Sequence, residues 1–276
     1  MVGHTWGHFR ILRSLGSGCC GDVFHAEDLR RGRHVALKLL QPSACHNLHS
    51  LEDLKRAAEM IASLQHENIR TVEEIDEYDG RYFLVMELLD GQTLADMPAR
   101  TPADLSLILE VGTQAAAALA AAHALGVVHG NVKPSNIFVT NRGRVKLLDF
   151  CLTRPFAKAH TQQRREPERD LPYTSPEEFL NQGLDARSDI FSLGVVLYEL
   201  ATGQMPFTGR APHHVVDAIL HREPVRAGRL NPLLPSGVEW AVHRALEKDR
   251  TLRYQTAEDL RADLDRVLHA SHAHQH

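Results

Sequence analysis

Hydrophobic periodicity changes character once along this chain, between Leu88 and Thr93. Before that point lie short runs of β type, Phe9 to Leu15, Val23 to Glu27, Val35 to Leu40 and Tyr82 to Leu88, with one helical segment at about Leu51 to Gln65. Beyond it, apolar residues recur at helical spacing over Pro102 to Leu125, Ser188 to Thr202, His213 to Leu220, Val238 to Glu247 and Ala257 to His269. No repeat and no long linker interrupts this order. The switch predicts an α+β fold with a small β-rich N-terminal lobe carrying one main helix, a larger helical C-terminal lobe, and a cleft between them. The lobes are expected at about 9–87 and 94–268, joined by a hinge at 87–93 and followed by a polar tail at 269–276. The whole of 1–276 then reads as one domain, and 276 residues suffice for two such lobes.

Composition narrows the function. The formal net charge of −4, with signs mixed along the chain, provides no basic field of the kind nucleic acid requires. No apolar run reaches the length of a membrane span; the stretch around Gln114 to Leu125 is alanine-rich and interrupted by His123. The expectation is a cytoplasmic protein with no nucleic-acid partner. The four cysteines (Cys19, Cys20, Cys45, Cys151) form no CxxC pair, so reduced thiols are expected in place of a zinc site or disulfide framework. Histidines at 269, 272, 274 and 276 read as a frayed polar end.

Between two strand-like runs stands Gly16-Ser17-Gly18-Cys19-Cys20-Gly21-Asp22-Val23, a GxGxxGxV pattern. Such glycines let backbone N–H groups approach phosphates closely. A dinucleotide-binding turn is the competing reading, but a strand ending in Val35-Ala36-Leu37-Lys38 follows, where that motif needs a helix. Further on come His129-Gly130-Asn131-Val132-Lys133-Pro134-Ser135-Asn136 and then Leu148-Asp149-Phe150-Cys151. Ser175-Pro176-Glu177, Ser188-Asp189-Ile190 and Asp249-Arg250-Thr251-Leu252-Arg253 complete the series.

From about Phe9 to Leu268 this series resembles the protein-kinase family, most closely bacterial eukaryotic-like Ser/Thr kinases, and implies its bilobal fold. The resemblance implies ATP bound with Mg²⁺, the metal held by Asn136 and Asp149. Gly16, Gly18 and Gly21 would cover the phosphates and Lys38 would contact them. Val23 and Ala36 would lie above the adenine and Phe138 below it. Met86 takes the gatekeeper position, and backbone groups at Glu87 to Leu89 would bond the base. Lys133 would neutralise charge near the γ-phosphate. His129 and Phe150, with Ile61 and Val72, would form an apolar column, and Glu177 with Arg253 a buried structural ion pair.

The pattern is broken at the catalytic centre. Asn131 stands where the family carries the aspartate that accepts the substrate's proton, and an amide is no base. Gly130 replaces the arginine that grips a phosphorylated loop. Helical phase puts Ala57 where the lysine's glutamate partner belongs; Glu59 points outward, and Asp53 reaches Lys38 only if the helix shifts. Cys151 replaces a glycine, Arg169-Asp170 stand where Gly-Thr shapes the substrate pocket, and the charged stretch 162–169 reads as a solvated loop. On sequence alone the favoured function is a pseudokinase, a nucleotide-binding switch or scaffold for an unidentified protein partner. The alternatives are a weakly active Ser/Thr kinase and an interaction domain with an empty cleft.

Overall fold

The computed structural model describes residues 2–18, 21–40, 59–60, 62–98, 102–150 and 168–273. Its chain divides into two compact units, the first ending at Gly91 and the second beginning at Gln92. All four cysteines, and the Ala57, Asp53 and Ile61 positions weighed above, lie outside the described residues; Glu59 is helical and exposed, as its phase predicts.

The first unit is an antiparallel six-stranded sheet in the order β1-β2-β3-β4-β6-β5. Its strands are β1 (Thr5–Trp6), β2 (Phe9–Gly18), β3 (Gly21–Asp28), β4 (Arg33–Leu40), β5 (Val72–Tyr78) and β6 (Arg81–Glu87). Alternation sorts the side chains by face. Phe9, Ile11, Phe24, Ala26, Val35, Leu37, Leu39, Phe83 and Val85 join Trp6 in one core on one face. Edge-to-face rings fix this core, with Trp6–Phe24 centroids 5.7 Å apart and Phe9–Phe83 5.8 Å. β5 is absent from the periodicity reading, because Val-Glu-Glu-Ile-Asp-Glu-Tyr carries four acidic residues in seven. It is tolerated as the sheet's edge, where one side faces solvent, and Glu73 there pairs with Arg33.

In the second unit, α1 (Leu105–Ala124) is the packing centre, with α3 (Ala186–Thr202) and α7 (Ala257–Ala273) laid against it. Gly112 makes the close approach possible, since a Cβ there would lie 2.7 Å from Leu264 Cδ1 and 3.2 Å from Leu197 Cδ2. By length and composition α1 could cross a membrane, with mean hydropathy 1.5; its buried Ile108, Leu109, Val111, Ala115 and Leu119 mark it as a core helix. Helix α3 starts with a capping box between Asp185 and Ser188 and ends at Gly203 in the left-handed conformation, φ 70°. A three-stranded sheet of β7 (Gly91–Thr93), β8 (Ile137–Thr140) and β9 (Val145–Leu147) completes the picture. The remaining helices are α2 (Pro176–Phe179), α4 (Pro212–His221), α5 (Ala227–Leu230) and α6 (Ser236–Ala245). Helix α7 runs to Ala273, past the expected start of the polar tail at 269; Ala270 and Ala273 are strong helix formers.

Arg253 closes this unit. Its guanidinium makes two parallel 2.8 Å bonds to Glu177 and donates to the carbonyls of Glu247 at 2.6 Å, Arg187 at 3.1 Å and Lys248 at 3.0 Å. Ser188 Oγ donates to Glu177 from the other side at 2.6 Å. Both charges are buried and satisfied, so deleting one strands the other. Arg253→Ala should cost about 3–5 kcal/mol, read as a lowered urea midpoint at unchanged slope; a loss below about 1 kcal/mol would mean the pair behaves as a solvated one.

Candidate functional site

In the first unit the residues assigned to nucleotide share the sheet face opposite the aromatic core. Lys38 is in register with Val23 and Leu84, and Ala36 with Met86. Cross-strand partners point to the same side, so Val23, Ala36, Lys38, Leu84 and Met86 line one surface. Lys38 is 5% exposed on it. The β2–β3 ladder continues through Gly16↔Val23 to Gly18↔Gly21, so the glycines sit at the tip of a hairpin. Gly21 has a second reason to be glycine: with φ 147°, its Cβ would fall 1.8 Å from the Leu39 carbonyl oxygen on β4. Past Met86, the Glu87 carbonyl already accepts from the Arg70 guanidinium at 3.3 Å, and its N–H donates to Thr71 O at 3.1 Å. Leu89 follows the strand end. The Glu87 groups expected to meet a base therefore carry intramolecular partners, and Arg70 is a neighbour the motif reading missed.

In the second unit the loop His129 to Asn136 hangs from one carboxylate. Asp189 on α3 accepts the N–H of His129 at 2.8 Å, that of Gly130 at 2.7 Å and the His123 ring at 2.8 Å. Burial alone would push this carboxyl up; the His123 hydrogen bond and charge, with His129 and the Gly130 N–H, outweigh it and hold the carboxyl below its ordinary range. The His129 ring nitrogen Nε2 lies 2.8 Å from the Leu148 carbonyl, which can only accept, while Nδ1 takes the Asn131 N–H at 3.2 Å. That pairing requires a neutral ring protonated on Nε2. It agrees with burial, which pushes this histidine's pKa down. Phe150 packs on the same ring, centroids 4.5 Å apart.

Gly130 adopts φ 66°, a left-handed conformation suited to glycine, and Asp149 adopts φ 54°, a strained one for any other residue. Asn136 donates its side-chain N–H to the Asn131 carbonyl at 2.8 Å, and its own backbone accepts from Leu148 at 2.9 Å. The Asn131 backbone is thus fixed at both ends without its side chain. Lys133 Nζ pairs with Asp170 Oδ2 at 2.8 Å, both side chains about nine-tenths buried. Phe138 lies half-buried on β8, opposite Lys146.

The donor set suits Mg²⁺. With its nitrogen committed to Asn131, the Asn136 amide presents Oδ1, and Asp149 adds a carboxylate. One hard amide oxygen and one carboxylate match a metal that keeps waters and takes its other ligands from phosphates. No cluster of three or more His, Cys, Asp or Glu suited to a metal occurs among the described residues.

Comparison with known proteins decides the family. The description "Protein kinase domain" matches residues 9–263, nearly the whole chain. The chain belongs to the protein kinase family. It is 33% identical over 265 residues to Serine/threonine-protein kinase PrkC of Bacillus subtilis, covering 96% of this chain and 41% of that protein. To Serine/threonine-protein kinase PknB of Mycobacterium tuberculosis it is 34% identical over 271 residues, covering 96% and 43%. The chain therefore spans about two fifths of the curated relatives it matches. Among solved structures, the Mycobacterium tuberculosis PknI kinase domain (C20A_R136N double mutant) aligns with TM-score 0.74 at 25% identity, covering 96% of this chain and 98% of that one.

The network around His129 and Asp189 sets an acid limit on the kinase domain's stability. Below the unfolded histidine pKa of about 6.5 the unfolded chain binds a proton that buried His129 refuses, so stability falls as pH drops through that range. His25, lowered by burial and by His34, acts in the same sense. Asp189, held low when folded, adds its loss only below about pH 4. The urea midpoint should decline from pH 7 to 5.5, and His129→Gln should flatten that decline; an unchanged slope in the variant would show that His129 titrates alike in both states.

Proposed function

We propose that this domain is a Ser/Thr protein kinase of reduced turnover, binding ATP with Mg²⁺ and transferring the γ-phosphate to a protein hydroxyl. The observation that carries this reading is the loop around Asn131: Lys133, Asn136 and Asp149 stand on a hydrogen-bonded scaffold that does not use the side chain of residue 131. The sequence alone favours a pseudokinase. Identity of 33–34% across 96% of the chain to proteins named as Ser/Thr kinases supports the working enzyme instead.

Chemistry supports the same choice. Removing a positioned base commonly costs about 10²–10⁴ in rate, while phosphoryl transfer depends mostly on positioning and charge neutralisation. Lys38, Lys133, Asn136 and Asp149 would supply those. When bound, Mg²⁺ would neutralise charge on the transferring phosphoryl group. The Asn131 side chain can orient a hydroxyl by hydrogen bonding without accepting its proton.

Asn131 itself favours a second reading, a nucleotide-binding scaffold for a protein partner that performs no transfer. Two measurements separate the two. ATP with Mg²⁺ should raise the melting temperature of the wild type, an effect lost in Lys38→Ala and in Asp149→Ala. Radiolabel from the γ-phosphate should reach the chain itself or a generic protein acceptor, and Asp149→Ala should abolish it. Stabilisation without any wild-type transfer would select the scaffold; absence of both would exclude nucleotide chemistry.

A further inference from the structure

The carboxylate lost at position 131 has a counterpart close by. Asp170, in the short helical turn Glu168–Tyr173, stands where the family's pattern has a neutral residue. It is bonded at 2.8 Å to Lys133, two positions from Asn131 on the same loop. The exposures of the two side chains are 10% and 12%, so this is not a solvated surface pair. Asn131, Lys133 and Asp170 also line one cavity with Gly130, Val132 and Tyr173. That cavity measures about 20 Å³, room for a single water.

The charges are rearranged, not removed. In the family pattern a carboxylate at position 131 lies beside the loop lysine; here the amide has taken that place and an aspartate holds the same ammonium from position 170. A base can act on a hydroxyl directly or through one intervening water, and the cavity shared with Asn131 has space for that water.

We propose that Asp170 is the proton acceptor of this kinase, replacing the aspartate that Asn131 displaced. The inference rests on the kinase reading given above. In the step it describes, the acceptor Ser or Thr hydroxyl oxygen bonds to the γ-phosphorus of ATP. The bond from that phosphorus to the bridging oxygen breaks, and ADP leaves with the electron pair. The hydroxyl proton passes to the Asp170 carboxylate, directly or through the cavity water. Asn131 orients the hydroxyl by hydrogen bonding, and Lys133 keeps the carboxylate in place until the proton arrives. No oxidant or further co-reactant is needed.

The test compares the wild type with Asp170→Asn, Asp170→Glu, Asn131→Asp and the double variant Asn131→Asp/Asp170→Asn. Each is assayed for radiolabel transfer and for thermal stabilisation by ATP with Mg²⁺. Asp170→Asn should lose a further 10²-fold or so in transfer while keeping wild-type stabilisation by nucleotide. The double variant should recover transfer to at least the wild-type rate, and Asp170→Glu should retain more than Asp170→Asn. Four results would overturn the assignment. Transfer by Asp170→Asn at or above wild type, with stronger nucleotide stabilisation, would make Asp170 a brake on Lys133. A double variant no better than Asp170→Asn would make the aspartate a mere positioning group. Asp170→Glu no better than Asp170→Asn would show that a carboxylate is not what matters. A wild type without transfer would remove the assignment together with the kinase reading, whereas the first three leave that reading standing.

Discussion

Much of the second unit's chemistry depends on one buried carboxylate. Asp189 is 1% exposed and would be a liability in the core if it were unpaired. It is retained as an anion because two backbone N–H groups and the His123 ring surround it. From there the order propagates bond by bond: His129 to the Leu148 carbonyl, Leu148 N–H to Asn136 O, and the Asn136 side chain to Asn131 O. Asn131, assigned to the hydroxyl, is two hydrogen bonds from that anion, and Asn136, assigned to the metal, is three. Charge-assisted bonds of this kind contribute about twice what neutral ones do, so the loop is held by its strongest contacts at the end nearest the core.

That arrangement explains why an altered catalytic position is compatible with an intact loop. Asp and Asn have nearly the same shape, and the loop's conformation is set by the backbone of 131, not by its side chain. Substitution there changes charge and proton affinity while leaving geometry alone. Gly130 adds to the tolerance, since φ 66° costs a glycine nothing and would cost a residue bearing a β-carbon some strain.

The sequence was most legible where chemistry demands a residue type at a fixed spacing. The glycine hairpin, Lys38 on an apolar strand, the 129–136 loop and Asp149 are such positions, and so is the Glu177–Arg253 pair. The two-lobed α+β order was legible for a different reason, since hydrophobic period changes from two to 3.6 at the right place. Strand β5 was hidden because an edge strand needs only one buried row, and four acidic residues masked it. The role of Asp189 was hidden because two of its partners are backbone groups, which leave no trace in residue identity, and that of His123 because its partner Asp189 lies 66 residues away. Arg70 at the Glu87 carbonyl escaped for the same reason. Asp170 was visible as a departure from pattern, but its pairing with Lys133 across 37 residues was not.

Motif letters taken one at a time count each departure in this chain as a loss at its own position. Physical function belongs to constellations: a charge, the cation that holds it, and the backbone that aims both. At Lys133 the constellation keeps an anion 2.8 Å from the ammonium although the usual anionic position is an amide. Removing either partner of so buried a pair would leave an uncompensated charge, which favours sequences in which the two are present together. A kinase-like loop is therefore better judged by whether its buried charges are matched than by whether its consensus letters are kept, and among the described residues this one keeps its lysine matched.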